Sequence, residues 1–424
     1  MCGSSFDRAN CPLAQAVGMH RRQVLRSLVA AGGTAALAAC LDLGGEDPIP
    51  EGDPAERPDR QHAWNDAVET DDHGNVLLPT HHVFLSLDYN GESPVEDRER
   101  LEEAFLDLEH AFEGSHQGLL FTAGYSRDYL DRYDVDLTGV DCPRPEALLP
   151  GENSTTDEAD IYLHLASERA RAVLEAEEAL LGDDLANDTE VSRVDDILSL
   201  QRRRTGFFGY GLPNERDLNL QGVPRDGVHE DAPFFMDFDA GFRENQATEG
   251  RVTIEDGPFA GGTIQHVATI RLQAATWSDI DGNERVGRMF SPELGIDEVG
   301  AVAQHLEDHN NVTDQTDDTL RKTAREHGIV GHAQKLARHR EDGRPPILRR
   351  DVNSDDDNQA WIQFVAFQRT FSDFERLQSA MAGETVTGEG EVGQTINNGI
   401  LQYINVSTRG TFLVPQRERR SLPA

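Results

Sequence analysis

Lysine is nearly absent from this chain: of its 424 residues only Lys322 and Lys335 are lysines. Lys+Arg total 39 against 77 Asp+Glu, a formal net charge of −38. So acidic a chain repels phosphate backbones, and it holds no basic block able to track a nucleic acid, which excludes DNA and RNA as partners. Cysteine is scarce as well. Cys2, Cys11 and Cys40 lie in the first forty residues and Cys142 stands alone beyond them, so no disulfide framework can form. The apolar fraction, 37%, is below the usual globular range. Hydrophobic periodicity nevertheless persists over most of the chain, and that excludes global disorder. The length suffices for two ordinary domains.

The N-terminus reads as an address. His20-Arg21-Arg22-Gln23-Val24-Leu25-Arg26 sets an arginine pair ahead of an apolar stretch, Ser27–Ala39, too short to span a bilayer. Residues 1–39 are therefore expected to be a twin-arginine export signal; an ordinary N-terminal anchor helix is the plainer alternative. Leu37-Ala38-Ala39-Cys40 resembles a lipobox, which makes Cys40 the lipid-bearing residue and membrane lipid a partner. The expected location is the outer face of the cell membrane. Twin-arginine export carries folded proteins, often with a cofactor already inserted. Residues 40–78, rich in Asp, Glu, Pro and Gly, are expected to be a disordered acidic tether. The acidic, lysine-poor composition resembles that of salt-adapted proteins of halophilic archaea.

Beyond the tether, strand and helix patterns alternate. Val83, Leu85, Leu87 and Tyr89 recur at every second position, as in a half-buried strand. Ser93-Pro94-Val95-Glu96 supplies a cap, a proline at the first helical position and a glutamate three beyond. Leu101, Phe105, Leu108 and Phe112 then form one helical stripe. Strands follow at 118–124, 160–165 and 196–200, with a helix from Glu168 to Leu181. In the second half, 262–272 and 361–367 read as strands and 371–381 as a helix, with strands at 400–406 and 411–414 closing the chain. This predicts an α+β fold of two ferredoxin-like halves with antiparallel sheets, of the dimeric α+β barrel type. The halves would span 79–211 and 259–424, with 212–258 an insertion or linker.

Seven segments in order carry a family resemblance. They are Leu119–Leu130, Asp160-Ile-Tyr-Leu-His-Leu165, Gly261–Arg271 with Trp277 and Gly287-Arg288, Gly331-His332-Ala-Gln-Lys-Leu-Ala-Arg338, Ile347-Leu348-Arg349-Arg350, Phe364-Val-Ala-Phe-Gln-Arg369, and Tyr403-Ile404 to Phe412-Leu-Val-Pro415. Together, over roughly residues 80–415, they resemble the dye-decolorising peroxidases, haem enzymes built as two ferredoxin-like halves. The resemblance implies haem b as cofactor, His332 as its iron ligand, and Arg349 as a fixed cation that contacts the cofactor and polarises bound hydrogen peroxide. Peroxide and a small reducing substrate would be the reactants, and peroxide-dependent one-electron oxidation the activity.

One departure stands against it. The family carries an Arg-Asp pair where this chain has Thr205-Gly-Phe-Phe-Gly-Tyr-Gly-Leu-Pro213. The aspartate that would shuttle the peroxide proton is missing, with Asp217 and Tyr210 the nearest substitutes in sequence. This keeps a second reading in view: a degenerate, non-catalytic haem-binding or structural surface lipoprotein. His266, on the apolar side of a strand, is expected in the core. Asp355-Asp356-Asp357 is expected to be a solvated turn rather than a cation site, and His81-His82 a surface pair with weak metal-binding prospects. The glycines of 206–211 lack the lysine of a phosphate loop.

Overall fold

The computed structural model describes residues 48–424, apart from 72–73, 183–184, 218–219, 225–226, 240–244, 307–311 and 313–314. The signal and Cys40 lie outside the described residues, and Ile49–Ala424 is one compact unit.

The first half is built as its pattern predicts. Strand β1 (His81–Tyr89) leads to helix α1 (Pro94–Ala111), β2 (Leu120–Ser126), β3 (Ile161–Ser167), α2 (Ala170–Leu181) and β4 (Leu198–Phe207). Proline opens α1 as expected, but the Ser93 side chain makes no capping bond. The helix is held by its stripe: Leu101, Phe105 and Leu108 pack with Val83, Leu85 and Leu87 of β1 and Leu163 and Leu165 of β3.

The second half runs β5 (Thr263–Leu272), α3 (His332–Ala337), β6 (Leu348–Arg349), β7 (Val352–Ser354), β8 (Trp361–Gln368), α4 (Phe371–Ala382) and β9 (Ile404–Val414). The two closing strands expected from sequence are one, interrupted by an irregularity between Val406 and Thr408.

Sheet order is β7-β4-β1-β3-β2-β9-β5-β8-β6, and β7 also pairs β8. The sheets of the two halves therefore join into one closed ring. Every neighbouring pair on this path is antiparallel. Phe84, Tyr162, Phe412, Val267, Phe367 and Val352, drawn from strands all round the ring, meet in one cluster, while α1 and α2 pack on the opposite face of β1 and β3. Period-2 alternation gives each strand these two faces.

Two expectations about the linking segments are corrected. From Ile49 onward the tether is folded: Ile49 is 4% and Trp64 2% exposed, and His62 is buried. Residues 69–70 and 76–77 form a small sheet of their own. Acidic composition masked this because a few large anchors suffice to hold an otherwise polar strap. The 212–258 segment is largely irregular but no mere linker; Phe235, Met236 and Phe238 are buried in the cluster that also holds Trp277 and Tyr403.

Among the described residues no helix is long and apolar enough to cross a membrane.

Candidate functional site

A cavity of about 360 Å³ lies against the second half's sheet, within the usual range for a small-molecule site. Ala268, Ile270 and Leu272 of β5 with Ile362 and Phe364 of β8 line one side, and Leu336 of α3 with Leu377 and Met381 of α4 another. Phe234, Met236 and Phe238 enter from the 212–258 segment.

His332 and Arg349 both line this cavity. His332 is the first residue of α3. Its Nδ1 is enclosed without a hydrogen-bond partner. Burial, then the charges of Lys335 and Arg349, lower its pKa to about 3, so the ring is neutral at ordinary pH and its lone pair is free to bind a metal. The Arg349 backbone N–H donates to Gln246 Oε1 at 2.7 Å.

The sequence reading missed an acid. Asp351 lines the same cavity, and Arg349 Nη1 donates to its Oδ2 at 3.3 Å. Burial pushes its carboxyl up to about 6, against the pull of Arg349 and a bond from the Val365 N–H. A proton-exchanging group with a near-neutral pKa thus stands beside the fixed cation. The signal lay in the spacing: residues two apart on an extended segment share a face. Arg350, between them, is buried instead over the Trp64 ring, 4.0 Å from its centroid, and donates to His62 O at 2.6 Å.

The segment that departs from the family supplies Phe208 and Tyr210 to the cavity. Tyr210 donates to Asp239, another lining residue, and burial beside that carboxylate raises the phenol's pKa. Tyr210 is thus occupied as a donor and is no base. The Asp217 side chain lies outside the described residues.

The remaining candidates are elsewhere. His266 is a core residue, stacked on Phe374 at 4.1 Å with Arg409 Nη1 at 3.0 Å from its Nε2. His81 and His82 are buried, not at the surface, and His82 Nδ1 bonds His164 Nε2 at 2.9 Å. The aspartate run is a brace rather than a solvated turn: Asp356 accepts from the Thr205 N–H and hydroxyl, and Asp357 from Arg204. Among the described residues no His/Cys/Asp/Glu group could hold a bare metal ion.

Tested against haem, these residues fit on two counts and lack one feature. The wall presents a neutral imidazole and the lining is mostly apolar. The lining arginines are paired: Arg349 with Asp351, Arg409 with Glu152 and Arg350 with Glu249. The missing feature is an acceptor for Nδ1–H, which a ligating histidine ordinarily has.

None of the curated proteins matches the sequence. Among solved structures, the fold is similar to a dye-decolorizing peroxidase from Bacteroides thetaiotaomicron VPI-5482 (TM-score 0.52, 13% identity, covering 85% of this chain and 100% of that one). It is also similar to the encapsulated DyP-type peroxidase of Mycobacterium smegmatis (0.51, 16%, 88% and 98%). A third likeness is to a variant of DypB from Rhodococcus jostii RHA1 in complex with heme (0.50, 16%, 80% and 94%). At such identities the likeness is one of fold. Residues 79–416 match the family described as "Family of unknown function (DUF7405)"; the chain belongs to that family, and its fold is the α+β fold of the DyP-type peroxidases.

Proposed function

We propose that the protein binds haem b through His332 and catalyses a peroxide-dependent oxidation of a small reducing substrate. The observation that carries this reading is the convergence of His332, Arg349 and Asp351 on one apolar cavity. Haem, when bound, would supply the two-electron chemistry of peroxide and release it to substrates one electron at a time. The chain's own residues do the rest. His332 offers a neutral imidazole nitrogen, and Arg349 offers N–H donors to the oxygen on which charge develops. Asp351, ionised above about pH 6, accepts a peroxide proton at a carboxylate oxygen and returns it, the role left open by the missing family aspartate. The apolar lining excludes bulk water. Export and anchoring through Cys40 belong to the same reading and rest on the sequence of the first forty residues.

The test is reconstitution with haem at high salt. A Soret band is expected in wild type and lost in His332→Ala. Dye oxidation with peroxide, compared at equal haem occupancy, is expected to fall about 10²–10³-fold in Arg349→Leu, the usual effect of removing one preorganised donor. No Soret band in wild type would sink the proposal. Haem binding without turnover in either protein would favour the second reading, a non-catalytic haem-binding lipoprotein.

A further inference from the structure

Helix α3 has only six residues, too few for backbone propensity to hold it in place. Besides the packing of Ala333 and Leu336 on the flanking clusters, it is tied by the one buried lysine of a chain that meets nearly every other cationic need with arginine. Lys335, one helical turn after His332, is 0% exposed. Its Nζ donates to Met381 O at 2.5 Å, Asn398 Oδ1 at 2.7 Å and Asn398 O at 3.1 Å. Its three N–H bonds are thus directed at neutral oxygens, and among the described residues no carboxylate pairs with it. Asn398 in turn donates from Nδ2 to Ala382 O, Gly393 O and Gln394 O. A single ammonium therefore joins α3, the C-terminal end of α4 and the 393–399 segment.

The same joint presses on His332 itself. At Gly399 (φ +62°) an added Cβ would lie 3.1 Å from both N and Cα of His332, and at Gly331 one would lie 1.8 Å from Phe290 O. Backbone thus approaches backbone on both sides of the histidine. Enclosing an ammonium with no counter-charge is costly, and burial pushes its pKa down to about 7. A methionine of similar length would fill the space without that cost. Local arrangements this unfavourable are expected where a site requires them.

We propose that Lys335 is the positioning residue of the site: by tying α3 to α4 and to the 393–399 segment, it aims the His332 ring into the cavity. In the folded protein the imidazole has this cation and Arg349 as its charged neighbours and no acceptor for Nδ1. It is then a weaker electron donor than a histidine hydrogen-bonded to a carboxylate, so a haem held by it has a raised reduction potential. The inference about affinity and potential rests on the haem reading above; the inference about ring position does not.

The experiment compares wild type, Lys335→Met, Lys335→Arg and His332→Ala by three readouts. They are the His332 side-chain NMR signal of the apoprotein (identified by its loss in His332→Ala), haem affinity and reduction potential from Soret titrations, and the denaturation midpoint. Wild type is expected to give one sharp ring signal, and Lys335→Met a broadened or multiple one. Haem affinity should fall about 10–100-fold in Lys335→Met, the usual effect of losing a group that orients a metal ligand. Lys335→Arg should not restore it, because a planar fork cannot direct its donors at these three oxygens. A Lys335→Met protein with a lower denaturation midpoint, a single sharp ring signal and unchanged haem affinity would overturn the proposal, leaving Lys335 a structural residue only. If wild type takes no haem, the haem reading fails by itself and the ring signal alone decides the role of Lys335. Should Lys335→Met not fold, Asn398→Ala, which removes one acceptor and keeps the lysine, replaces it under the same criteria.

Discussion

At the residue scale, the informative change is the one the structure made to Asp351. By sequence it is one acid among 77; in place, burial lifts its carboxyl to about 6 beside Arg349. A base must be ionised to take a proton. Oxidation of dye by the haem-loaded protein is therefore expected to decline as pH falls through about 6. Asp351→Asn should lower the rate about 10²–10⁴-fold, the usual worth of a positioned acid–base group, and abolish that decline. A pH–rate profile of the two proteins checks both parts, and an unchanged profile in Asp351→Asn would remove the residue from the mechanism. The raised pKa also fixes a stability sign. The folded state holds this proton more tightly than the unfolded chain, so the contribution of Asp351 is favourable below pH 6 and is lost as pH rises through it.

Elements show why a polar segment can still be structural. Residues 40–78 were expected to be a tether because they are rich in Asp, Glu, Pro and Gly. Yet the strap is fixed by Trp64, whose ring packs 5.2 Å from His164 and lies under the Arg350 guanidinium, while its Nε1 donates to Gln61 O at 2.9 Å. Gln61 continues the seam, bonding both Ala123 and Pro415 of the two halves. Trp64→Ala is expected to destabilise the protein by about 3–5 kcal/mol, as for large buried aromatics. It should also expose the strap, from Ile49 onward, to protease. Denaturant titration and limited proteolysis test this. A change under about 1 kcal/mol, the scale of most substitutions, would return the segment to the status of a tether.

Across the whole molecule, buried imidazoles set the pH response. Burial lowers the pKa of His62, His82 and His332 to about 3 and of His81 to about 4, and holds His164 and His266 well below the ordinary value. The unfolded chain takes up these protons as pH drops below about 6.5, the ordinary histidine value, while the folded chain refuses them until about 3–4. The stability they confer is thus complete above pH 6.5 and is lost progressively toward pH 4. Thermal midpoints measured at constant high salt should hold between pH 7.5 and 6.5 and fall from 6.5 to 4.5, the six rings outweighing the opposite contribution of Asp351; a flat series would show that these rings are accessible to protons. High salt is specified because screening relieves the self-repulsion of a −38 chain.

The sequence by itself determined the elements, because period-2 and helical stripes are local: β1 from Val83 to Tyr89, α1 from its proline, and α4 from Phe371 to Met381 all stand where their patterns place them. The ordered short segments also pointed to His332 and Arg349, which both line one cavity. Only the tertiary structure decided that the two halves share one closed ring through the β7–β8 and β7–β4 pairings, since strand partners are non-local. It alone placed Asp351 and Asp239 in the cavity, buried His82 against His164, and turned the aspartate run into a brace for β4. The physical reason is that charge and burial are properties of neighbours. A carboxylate, an imidazole or a lysine has the same letter at the surface and in a cavity, and only the groups packed around it make it a base, a ligand or a lock.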